Sequence, residues 1–110
     1  ESRWAAADAN PYLVLAGVLA AGLDGLEHDY ELMEQVVTDP HVDDRWERLP
    51  VTIEGAIENF DTPFTRSVYG DTFVDNYLIM QRREAEEFAT NAQPSEDVSE
   101  WEISRYRAVV

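Results

Sequence analysis

The chain has 110 residues, room for one domain, and its 45% apolar and 28% charged content argues against disorder. Its net charge of -15, from 23 acidic and 8 basic residues, gives a surface that repels phosphate backbones and anionic lipid, so nucleic-acid and membrane partners are disfavoured. All eight basic residues are Arg and there is no Cys, which removes lysine bases, Schiff bases, disulfides and thiolate chemistry from the options.

Residues 1–4 fit the end of a strand. Asn10-Pro11 predicts a helix start, because Asn caps the first amides and Pro fits a turn whose N–H groups lack partners. The run over 11–23 is apolar all round and falls short of the ~20 residues that a bilayer requires. It is therefore expected to be a core helix covered on most sides, which a chain of this length can hardly do alone. Gly17 and Gly22 each cost about 1 kcal/mol relative to Ala, so each is expected to permit close packing. Asp24-Gly25 is expected to weaken or end the helix.

Residues 28–50 are acidic and irregular, with a short helix expected over 30–37 and a turn at Asp39-Pro40. Thr52 predicts the cap of a helix to about Phe60, whose apolar face is Ile53, Ala56, Ile57 and Phe60. Asp61-Thr62-Pro63 breaks it. A short helix over 64–69 closes at Gly70, and Asp71 or Thr72 opens the longest helix, to about Asn91. Val74, Tyr77, Leu78, Ala85 and Phe88 form its expected buried stripe, with the pairs Arg82–Glu86 and Arg83–Glu87 on its wet side. Glu84, Glu86 and Glu87 are placed on that same solvated face. Residues 93–97 read as a linker. Ser99-Glu100-Trp101-Glu102 is a capping box for a last helix to about Arg107. Trp46, Trp101, Tyr77 and Phe88 are read as packing residues.

The opening segment, Glu1-Ser2-Arg3-Trp4 followed by Ala9-Asn10-Pro11-Tyr12-Leu13, resembles the part of the glutamine synthetase family in which an E-x-R strand leads into an A-N-P-Y-L helix start. The likeness continues through Ala20-Ala21-Gly22-Leu23-Asp24-Gly25-Leu26, Leu49-Pro50 and Trp101-Glu102-Ile103-Ser104-Arg105-Tyr106. It implies that residues 1–110 are mostly α, the helical C-terminal segment of an α+β catalytic domain. The implied reaction is ATP-dependent ligation of glutamate to ammonia or another amine through γ-glutamyl phosphate. The D-A-N-P-Y-L form is closer to the branch that makes γ-glutamyl amines, polyamines among them. Glu1 would then ligate a divalent metal, Mg²⁺ or Mn²⁺, and Arg3 would be catalytic and substrate-binding, contacting the substrate carboxylate or the phosphoryl group. The residue types suit these roles. Carboxylate oxygens hold Mg²⁺, residues i and i+2 of a strand share a face, and an arginine fork stabilises charge on a phosphoryl group.

The resemblance also implies a cytoplasmic subunit of a ring-shaped homo-oligomer. The chain opens on Glu1 without Met, and the expectation is that it was cut from something longer and is inactive alone. Residues 27–48 depart from the family pattern, which motivates an alternative: a non-catalytic helical interaction module that kept the fold and lost the chemistry. His28 and His41, and the cluster Asp39, His41, Asp43 and Asp44, match no defined metal motif and read as solvated loop residues.

Overall fold

The computed structural model describes residues 5, 6, 9–37, 39, 47–92 and 98–107. Five helices follow one another: α1 (Pro11–Glu27), α2 (Ile53–Phe60), α3 (Pro63–Tyr69), α4 (Asp71–Asn91) and α5 (Glu100–Tyr106). No strand occurs among the described residues, so the mostly-α expectation holds for this part of the chain. The strand end expected at residues 1–4 and the linker at 93–97 lie outside them, as does Trp46.

Each start follows from a side chain that satisfies amides with no intrahelical partner. The Asn10 Oδ1 accepts from the N–H of Tyr12 and Leu13 at 3.0 and 3.3 Å. Thr52 Oγ1 accepts from Gly55 N–H, and Thr62 Oγ1 from Thr65 N–H. At α5 the Ser99 hydroxyl accepts from Glu102 N–H while the Glu102 carboxylate accepts from Ser99 N–H, a complete capping box. Gly70 joins α3 to α4 with φ +83 and ψ 146, a region that is costly for a residue with a Cβ.

Two expected boundaries differ. α1 does not stop at Asp24-Gly25 but runs to Glu27. It closes with Asp29 at φ +48 and Tyr30 N–H donating back to the Gly25 carbonyl at 3.2 Å. The residue that leaves the helix is therefore an aspartate, which tolerates the left-handed region, and Gly25 stays helical. Residues 30–37 form no helix. Leu32, Met33 and Val37 are exposed there, so no packed face repays the cost of nucleating a short helix.

The core sits where α2 and α3 pack on α4. Val74 and Leu78 of α4 and Ile57 of α2 are buried, with Ile53, Phe60, Tyr69 and Phe73 packed around them. Each fully buried aliphatic side chain is worth about 1.5–3 kcal/mol. The α4 stripe is correct at Val74, Leu78 and Ala85, but Phe88 is 43% exposed and Phe73 takes a place at the core instead. Arg66 ties the junction together. Its Nε donates to Asp61 at 2.7 Å, and its two terminal nitrogens meet Asp71 at 3.3 Å and Asp75 at 2.9 Å. One guanidinium thus spans the end of α2, α3 and the first turns of α4, and its donors hold the Asp61 carboxyl below the usual range.

α1 stands apart from this core. None of its residues is buried, and Tyr12, Leu15, Leu19, Leu23 and Leu26 are exposed, from 58% at Leu15 to 82% at Tyr12. Its main contact with the remainder is with α3.

Candidate functional site

Residues 5, 6 and 9–13 are the described part of the segment that carries the family signal, and the structure shows what they rest against. A cleft of about 380 Å³ opens between the start of α1 and the aromatic side of α3 and α4. Ala5, Ala6 and Ala9 line one wall, and Phe60, Tyr69 and Phe73 line the other. Ala9 N–H donates to the Ala6 carbonyl at 3.1 Å, just before the Asn10 cap.

The aromatic wall is a chain of ring contacts. Phe60 lies 6.0 Å from Tyr69 and 5.1 Å from Tyr77, and Phe73 lies 5.6 Å from Tyr69 and 5.7 Å from Tyr77, centroid to centroid. These spacings are those at which aromatic pairs attract beyond simple area burial. The Tyr69 hydroxyl reaches across the cleft and donates to the Leu13 carbonyl at 2.7 Å. In a regular helix that carbonyl also accepts from Gly17 N–H, one turn on. A Cβ at position 17 would lie 2.7 Å from the Tyr69 hydroxyl oxygen. Gly17 therefore does what was expected of it: it lets a side chain reach the helix backbone. Nothing lies within 4 Å of a Cβ at Gly22, so the matching expectation for Gly22 is not met by the described residues.

The ending Trp101-Glu102-Ile103-Ser104-Arg105-Tyr106 attaches α5 to α4. The Arg105 fork donates to both carboxylate oxygens of Glu84, at 3.2 and 2.8 Å, and the Tyr106 hydroxyl donates to Glu84 at 2.6 Å. Arg105 also lies 3.2 Å from Glu87. Trp101 meets Phe88 and Tyr106 edge-on, each at 6.0 Å, which fits its reading as a packing residue. The hydrogen bonds from Arg105 and Tyr106 lower the Glu84 carboxyl to about 2, and the same bond to Glu84 pushes the Tyr106 phenol up to about 12. Glu84 is thus not merely part of a wet face. It is the anchor of α5, and the sequence concealed this because its partners lie 21 and 22 residues away. Of the two expected pairs along α4, Arg83–Glu87 forms at 3.0 Å.

Glu1 and Arg3, the residues singled out for metal and substrate, lie outside the described residues, as do His41, Asp43 and Asp44. His28 ends α1, with Nδ1 3.0 Å from the Asp24 carbonyl oxygen and its ring stacked on Tyr30 at 5.6 Å. Among the described residues no three acidic or imidazole side chains gather where a metal ion could sit. Mg²⁺ takes about six oxygen ligands, so the described residues do not by themselves fit it and Glu1 alone would be one ligand of several. No described helix is long and apolar enough to cross a membrane.

The arrangement of a capped helix after an E-x-R segment and a closing W-E-x-x-R-Y helix agrees with comparison to known proteins. The family model for the glutamine synthetase catalytic domain matches residues 1–106. The chain belongs to the glutamine synthetase family, and its helices are part of that catalytic domain. It is 33% identical over 106 residues to the gamma-glutamylethanolamide synthetase of Streptomyces coelicolor, covering 96% of this chain and 21% of that protein. It is 33% identical over 112 residues to the glutamine synthetase of Thermococcus kodakarensis, covering 89% of this chain and 25% of that protein. With the gamma-glutamylpolyamine synthetase of Streptomyces coelicolor it shares 38% identity over 85 residues, 70% of this chain and 18% of that protein. The chain therefore spans about a fifth to a quarter of the length of the relatives it matches. No solved structure matches it.

Proposed function

We propose that residues 1–110 are the C-terminal segment of the catalytic domain of a cytoplasmic ATP-dependent carboxylate–amine ligase. The proposed reaction has two steps. The γ-phosphoryl group of ATP passes to the side-chain carboxylate of glutamate and ADP leaves. An amine nitrogen then attacks the acyl carbon, phosphate departs, and the amine gives up a proton, leaving a γ-glutamyl amide. The observation that carries this reading is the family match across residues 1–106, which begins on the E-x-R segment itself. The two Streptomyces relatives, an ethanolamide and a polyamine synthetase, support an organic amine as the second substrate, beside the ammonia of the glutamine synthetases.

In this reading Arg3 binds the glutamate carboxylate or the phosphoryl group in transfer, where a fixed guanidinium fork stabilises growing negative charge. Glu1 supplies one oxygen ligand to Mg²⁺ or Mn²⁺, which when bound neutralises phosphate charge; the other ligands come from residues outside this chain. Asn10 caps the helix that follows this segment. The exposed apolar stripe of α1 supports burial against the rest of a larger subunit, itself a protomer of a homo-oligomeric ring.

The test uses the longer chain. Arg3→Ala should lower turnover of ATP with glutamate and amine by at least about a hundredfold, the scale on which one transition-state donor is lost. Glu1→Gln should raise the Mg²⁺ concentration needed for half-maximal rate. Near-wild-type rates for Arg3→Ala would remove Arg3 from the chemistry.

A further inference from the structure

We draw no further inference here: the strongest candidate, the exposed leucine stripe of α1 with the aromatic-walled cleft at its start, is an unpartnered apolar face, and nothing in the structure shows what covers it.

Discussion

Single residues decide the joints of this chain. Gly70 adopts φ +83 and ψ 146, which only glycine enters cheaply, so Gly70→Ala should cost about 1–3 kcal/mol and lower Tm with no change in the helices on either side. Thermal unfolding of the subunit measures it, and an unchanged Tm would show that the α3–α4 link relaxes. Arg66 is the second joint. Arg66→Gln would remove the guanidinium that bonds Asp61, Asp71 and Asp75 together, so Tm should fall, and fall further at low salt than at high salt. Thr62 was read only as part of a break and in fact caps α3 at Pro63, whereas Gly70 and the Asn10 and Thr52 caps were legible in the sequence, because caps and glycine turns are local. Arg66 was not, because its fork works only once three elements have been folded around it. Tyr69 was missed for the same reason: Gly17 hinted that something approaches α1, but nothing local says what.

At the scale of elements, α5 is attached to α4 through charge and ring contacts. It is held by Glu84, Glu87, Arg105 and Tyr106, and Trp101 meets Phe88 edge-on. Glu84 has its carboxyl lowered from 4.5 to about 2, so its contribution is full above the unfolded value and is lost as pH falls from about 4.5 toward 2. Tyr106 is shifted the other way, from 10.0 to about 12, so its contribution is full below 10 and is lost as pH rises toward 12. α5 should therefore stay docked between these limits and separate outside them. Trp101 fluorescence in a variant lacking the other tryptophans reads this, and Glu84→Gln should shift the acid transition out of that window. A Trp101 signal that does not respond below pH 4.5 would contradict the attachment. The helix starts at Pro11, Ile53 and Glu100 were legible from caps and spacing. The end of α1 and the absence of a helix over 30–37 were not, because both turn on what packs, or fails to pack, against the chain.

Over the whole molecule, the balance of buried and exposed apolar surface sets the limits of what this chain does alone. Among the described residues the core is Ile57, Val74, Leu78 and Ala85, while α1 keeps a stripe of leucines in solvent. The all-apolar run over 11–23 made that need for cover visible in the sequence. The family was visible in the E-x-R and A-N-P-Y-L segments and in the closing W-E-x-x-R-Y, and the match over residues 1–106 agrees. The proposed site was legible only as a fragment: phosphoryl transfer draws metal and phosphate contacts from several parts of a fold, and Glu1 and Arg3, the two proposed here, lie outside the described residues. The most direct measurement is phosphate release from ATP with glutamate and a polyamine or ethanolamine, made on residues 1–110 and on the full-length chain. The full-length chain should turn over ATP and form the γ-glutamyl amide, and residues 1–110 alone should not. Turnover by residues 1–110 alone, or a folded full-length chain inert with every amine and ammonia, would contradict the proposed function.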